Sequence, residues 1–256
     1  MMFKNLYDYR ELLKSNVKKE IRGKYKGSFL GVLWSFINPL LMVLVYALVF
    51  PFILKMSEEN YLIFLIVAMI PWNFFTTVIS QGTVTVLANA GIIKKVYFPR
   101  EILPISVVIS STVNFLVSAV IICFFLIFSG VGFSWFALLF PLILLIQVLL
   151  SLGIVFILSA LDIYVRDVEY IVNFIIMLLF YATPIIYSPT LFPENIRWLL
   201  YLNPMAVIVT AYRDILYYQQ LPDMKGLCLL LVISVALVYL GYKLFKKLEK
   251  GFAEQV

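Results

Sequence analysis

The charged residues of this sequence gather in short stretches. LDIYVRDVEY, residues 161–170, carries Asp162, Arg166, Asp167 and Glu169. They follow sixty residues, Ile102 to Leu161, without a single Asp, Glu, Lys or Arg. A second grouping, NAGIIKKVYFPREILP (residues 89–104), sets Lys94, Lys95, Arg100 and Glu101 around Tyr97 and Phe98. Neither reads as a catalytic centre. His is absent, which removes the commonest general base and metal ligand. Cys123 and Cys228 stand alone in apolar stretches, far from any Cys-x-x-Cys spacing. GKYKGS, Gly23 to Ser28, lacks the spacing and the preceding strand of a phosphate loop. We therefore expect no catalytic residue, no bound metal and no cofactor on this chain. The groupings suit recognition instead. Aromatic side chains among cations fit a docking surface. Arg166 and Asp167, adjacent opposite charges in a short turn without Gly or Pro, are expected to pair with each other or with cytoplasmic residues of neighbouring helices and stiffen that turn.

Aromatic rows form a third set. At about 100° per residue, Tyr61, Phe64, Trp72 and Phe75 fall within an arc of about 80°. Tyr170, Phe174 and Tyr181 fall within about 40°. Trp34, Asn38, Met42, Tyr46 and Phe50 follow an i, i+4 row that drifts around its helix. A sugar ring offers a C–H face for stacking and hydroxyls for hydrogen bonds, so such rows suit a sliding glycan. They equally suit lipid contact and the interfacial aromatic belt.

The elements that must carry these residues follow from composition. The 256 residues are 63% hydrophobic and 13% charged, with a mean hydropathy of +1.01. A soluble domain carries about 25% charged residues. The class is an all-α integral membrane protein in one domain. With about 20 apolar residues needed per crossing, the charge-free runs give six spans. They lie near 29–54, 61–87, 104–128, 135–161, 170–188 and 226–245, the third and fourth separated by the turn residues of FSGVGFSW. With the N-terminus inside, sixteen of the 20 Lys and Arg residues fall on inner segments. Both termini are then cytoplasmic, and residues 89–104 and 161–170 are cytoplasmic connections. Eight basic residues precede the first apolar run, which does not read as a signal peptide.

Two segments lie outside the spans. In residues 1–28, Phe3, Leu6, Leu13, Val17 and Ile21 share a face of about 80° while Lys14, Lys18, Lys19 and Arg22 supply charge. This predicts an amphipathic helix in the cytoplasmic headgroup layer, in contact with membrane lipids. Residues 189–225 are divided by prolines into pieces too short to span, which predicts re-entrant or interfacial helices outside. Asn203–Pro204 reads as a helix start, with Asp214 facing away from the apolar face that follows. Spans one to five (29–188), this external segment and a last span with its tail (226–256) complete the chain. Nothing in the spans offers an energy source, so transport would need a partner.

Several stretches together resemble one family. RGKYKGSFLGVLWSFINPLL supplies Arg22, Tyr25, Lys26, Ser28, Leu30, Gly31, Trp34 and Pro39. IPWNFF, FPREILP, YVRDVEY and LNPMAVIVTAYRDIL follow in the same order. The chain resembles the permease subunits of ABC type-2 polysaccharide exporters, which move O-antigen, teichoic acid or capsular glycans. The resemblance implies a homodimer in the bacterial plasma membrane. It also implies two ATP-binding subunits, holding ATP and Mg, docked on cytoplasmic coupling segments. Its substrate would be a glycan on a polyprenyl pyrophosphate carrier; nucleic acid is not an expected partner. Under this reading Lys94, Lys95, Tyr97, Phe98, Arg100, Glu101, Arg166 and Asp167 couple to the ATPase. Trp34, Tyr46, Tyr61, Phe64, Trp72, Phe75, Tyr170, Phe174 and Tyr181 line the substrate path. An ABC type-2 exporter of a drug or small lipid stays open. So does a self-contained membrane glycosyltransferase or secondary transporter, although the spans lack the charged groups it would use.

Overall fold

The computed structural model describes residues 2–23, 29, 34–54 and 60–255, and among these it contains helices and turns but no strand. Tyr25, Lys26, Ser28, Leu30, Gly31 and Lys55 lie outside the described residues, as do the side chains of Phe3, Pro39 and Phe50. Four helical stretches are long and apolar enough to cross a membrane. They are Tyr61–Ala88 (α4), Ile102–Phe128 (α6), Trp135–Asp162 (a 3-10 turn running into α7, Phe140–Asp162) and Met224–Gly251 (α11, Met224–Leu248, with its terminal turn). At 1.5 Å per residue their 27 or 28 residues reach about 40 Å. A fifth candidate is a helix pair, Glu194–Leu202 and Pro204–Leu216, bent by 106°. The first and fifth expected spans correspond to α3 (Trp34–Leu54) and to α8 (Asp167–Ala182), only 16 residues long.

Helix α4 is the hub. It packs against α3, α6, α7, α8 and α10 (Pro204–Leu216) and is buried on every side between Ile63 and Ile70. Polar ties fix it laterally. Gln147 Nε2 of α7 donates to the Pro71 carbonyl at 2.8 Å, and Ser80 Oγ meets Asn173 Oδ1 of α8 at 3.1 Å. Helices α7 and α11 make the most extensive pairing. Glycine permits it: a Cβ on Gly241 would lie 2.6 Å from the Gly153 carbonyl oxygen. Small residues let membrane helices approach until their backbones touch, where apolar burial no longer drives association. Apolar residues also cover the outside. Val113, Leu116, Val120, Phe124 and Ile127 form an exposed stripe down α6, as a bilayer solvent permits.

Helices α1 (Met2–Asp8) and α2 (Arg10–Gly23) run on as one rod. Tyr9 N–H donates to the Asn5 carbonyl and Leu13 N–H to that of Tyr9, both at 3.0 Å. Leu13, Val17 and Ile21 are half-buried and α2 lies along α6, leaving Lys14, Lys18, Lys19 and Arg22 exposed.

Candidate functional site: two ends of the bundle and an open helix face

At the basic end of the bundle, α4 passes through Asn89 into a single helical turn, α5 (Ala90–Ile93). Residues 94–101 then lead into α6. Tyr97 stands out, 86% exposed, with Ile92, Val96, Lys94 and Lys95 also exposed around it. Phe98 points the other way. It is buried with Ile93, Phe245 and Phe252 in a small apolar cluster, so the surface expected of two aromatic anchors presents one. Arg100 and Glu101 also turn inward. The Arg100 N–H donates to Glu249 Oε1 at 3.1 Å, and its guanidinium donates to the Glu249 carbonyl at 3.3 Å. Glu101 is fully buried. Its carboxylate accepts from Lys246 Nζ at 2.6 Å and from Asn5 Nδ2 at 2.8 Å, while Lys246 also reaches Glu249 Oε2 at 2.7 Å. A buried carboxylate persists only with such partners, since desolvating it alone is prohibitive.

The α7–α8 turn meets the same end. Arg166 and Asp167 are exposed there, and among the described residues neither makes an ion pair or side-chain hydrogen bond. The expected stiffening pair is absent because the turn is held otherwise. Ile163 is buried, and the Tyr164 hydroxyl donates to the Leu248 carbonyl at 2.9 Å. Asp162, beside them in sequence, is 1% exposed.

At the opposite end, the chain unwinds after α8, and residues 184–186 are buried outside any helix. Backbone of this kind needs partners inside a membrane protein. Arg213 of α10 supplies them, donating to the carbonyls of Pro184 and Ile185 and, at 3.4 Å, of Tyr187. Its Nε donates to the Phe64 carbonyl at 3.3 Å, and the Tyr61 hydroxyl donates to the Ile186 carbonyl at 2.7 Å. Helix α10 begins as the sequence suggests, with the Asn203 side chain accepting from Met205 N–H at 3.0 Å ahead of Pro204. It is not a surface helix, however. Asp214, expected to face away, is buried and accepts from Gln220 Nε2 at 2.7 Å.

The aromatic rows separate. Tyr61, Phe64, Trp72 and Phe75 lie inside the helix bundle because α4 is enclosed. Trp72 packs edge-on against Phe180 at 5.8 Å, and Tyr46 stacks on the same ring at 6.0 Å. Tyr170, Phe174 and Tyr181 occupy the open face of α8, 73%, 56% and 65% exposed. Trp34 is also exposed. Of the residues of α8, Val172 alone is buried.

The profile of the ABC-2 type transporter family matches residues 11–217. The chain belongs to that family. Among the relatives of this ABC-2 type transporter is an O-antigen export system permease protein, RfbA, of Myxococcus xanthus. It is 36% identical over 257 residues, covering all of this chain and 99% of the relative. Two proteins of the same name from Klebsiella pneumoniae are 35% and 34% identical over 246 residues. Each alignment covers 95% of this chain and 94% of the relative. An ABC-2 type transporter is a multi-pass membrane subunit, which agrees with the apolar exterior and long helices. Two of its central features escaped sequence reasoning. Arg213 looked like an ordinary exterior cation, and Lys246 like one more inner basic residue. The only signal was position: Arg213 follows four residues from Val209 on the apolar face of α10, where a solvated cation would not sit.

Proposed function

We propose that this chain is the transmembrane subunit of an ATP-driven exporter that moves a polysaccharide on a polyprenyl pyrophosphate carrier across the bacterial plasma membrane. The observation that carries the reading is full-length similarity to three permeases named for O-antigen export. The permease works as a homodimer with six spans per copy. Helix α3 is the first, and α8 with its unwound continuation the fifth. Both termini and the basic end face the cytoplasm, as the distribution of Lys and Arg favours. Helix α2 lies in the headgroup layer. Two ATP-binding subunits, carrying ATP and Mg, dock on residues 92–97 and on the Arg166–Asp167 turn, where exposed cations and an exposed aromatic stand together.

The open face of α8, with Tyr170, Phe174 and Tyr181, contributes to the glycan path. A face so apolar and so little covered in one copy suits a lining completed by the second copy. Tyr hydroxyls there supply hydrogen-bonding capacity that lipid chains would leave unused.

Two measurements test the reading. Cells lacking this chain should lose surface polysaccharide and regain it when the chain is restored. The tagged chain should also copurify with an ATP-binding subunit in detergent. Unchanged surface polysaccharide in the deletion strain sinks the substrate assignment; purification without an ATP-binding subunit sinks the exporter assignment.

A further inference from the structure

The cytoplasmic docking segment, the N-terminal helices and the C-terminal end of α11 meet in one part-buried knot. Lys246 is its centre, with its ammonium bridging Glu101 at 2.6 Å and Glu249 at 2.7 Å. Glu101 opens α6 and is fully buried; its second oxygen accepts from Asn5 of α1. Glu249, 9% exposed, holds the Arg100 N–H through its carboxylate and the Arg100 guanidinium through its carbonyl. An apolar layer backs the knot: Phe98 from the docking segment and Phe245 and Phe252 from the C-terminal end, with Leu6, Tyr9 and Leu12 against them. Tyr164 adds the α7–α8 turn through the Leu248 carbonyl. Each tie depends on the others. Without Lys246 two buried carboxylates face one another, and without α1 Glu101 loses a donor.

We propose that the C-terminal end of α11 is a transmission strut. Lys246 fastens the docking segment to α11 and holds Glu101 where it accepts from Asn5 of the α1–α2 rod, so that a push on residues 94–101 carries α2 with it along the membrane surface. Lys246 and Glu249 are positioning residues in this scheme and touch neither nucleotide nor glycan. Both lie beyond residue 217, where the family match ends, while their partners Arg100 and Glu101 lie within it. The proposal rests on the reading that an ATP-binding subunit docks at residues 92–97.

The test uses the full chain copurified with its ATP-binding subunit and follows amide exchange by mass spectrometry, with and without ATP, Mg and vanadate. In the wild type, trapping the nucleotide should alter exchange in residues 90–101 and in residues 2–23 together. In Lys246→Met the response of 90–101 should persist, while that of 2–23 falls at least threefold. Lys246→Arg, which keeps a donor for both carboxylates, should restore most of it. A full response of 2–23 in Lys246→Met overturns the strut. The nucleotide-free permease supplies a second readout that does not depend on the ATP-binding subunit. In Lys246→Met, and more mildly in Glu101→Gln, exchange should quicken about tenfold in residues 2–9 and 94–101 together, with 61–80 unchanged. Quickening confined to 244–250 overturns the proposal. A wild-type permease that captures no ATP-binding subunit defeats the functional reading, and the nucleotide-free exchange still decides the fastening.

Discussion

The guanidinium carbon of Arg213 lies 3.4 Å from the centre of the Phe64 ring, and both side chains are sealed from solvent. The cation rests on the ring face while its N–H groups point at the carbonyls of an unwound segment, so one side chain satisfies backbone from α4 and from residues 184–187. Lysine offers three donors from one atom and cannot reproduce that fan. Arg213→Lys and Arg213→Met should each leave carbonyls unsatisfied, at about 1–3 kcal/mol per group. The expected outcome is a lower thermal midpoint in detergent for both variants, with Met the worse. An unchanged midpoint for Met would mean that the segment finds other donors.

Helices α7 and α11 meet backbone to backbone. A Cβ on Gly153 would fall 2.8 Å from the Leu237 carbonyl carbon and the Val238 nitrogen, atoms that cannot swing aside as a side chain can. Gly153→Ala and Gly241→Ala should therefore cost at least the 1–3 kcal/mol typical of overpacking, although alanine favours helix by about 1 kcal/mol. Thermal unfolding of the purified permease measures it. Wild-type stability in either variant would show that the helices can part without loss.

Sequence patterning located the long helices closely. Spans expected at 61–87, 104–128 and 135–161 are Tyr61–Ala88, Ile102–Phe128 and Trp135–Asp162, because charge-free length is what a bilayer demands. Partnership was less legible. The 100° periodicity groups Tyr61, Phe64, Trp72 and Phe75 in one arc of α4, yet all four are enclosed, because no face of a hub helix is outside. Phe98 and Tyr97 are neighbours in sequence and opposites in space. The partners of Glu101 come from residues 5 and 246, separations that no local pattern reports. The role of Arg213 is hidden for the same reason: its acceptors lie on α4 and in an unwound stretch, and their free carbonyls leave no mark in sequence.

Tyr97 and Phe98 should behave differently when truncated. Tyr97→Ala removes an exposed anchor without touching the core, so the fold should hold. Affinity for the ATP-binding subunit should fall by about 2 kcal/mol, roughly 30-fold. Phe98→Ala opens a cavity beside Phe245 and Phe252 and should cost about 3–5 kcal/mol of stability. Titrating the purified partner onto each immobilised variant, with thermal unfolding in parallel, separates the two effects. Equal loss of binding by both, at equal stability, would mean that Phe98 leaves its pocket to dock.

The exposed aromatics of α8 make the sharpest test of the glycan path. Cys123 and Cys228 are both exposed and must be replaced first. Cysteine is then placed singly at Trp72, Phe75, Phe174 and Tyr181. Trp72 and Phe75 are each 4% exposed and should resist a water-soluble thiol reagent in the resting complex. Phe174 and Tyr181 should react during ATP turnover, because a face that lines a glycan path must be wetted as the polymer moves. Lipid excludes the reagent as completely as packed protein does. Complete protection of both α8 positions with and without ATP would therefore put this face against acyl chains and remove it from the path. Reaction at Phe174 and Tyr181 that disappears when the second copy is held away from the first would show that the path forms between two copies.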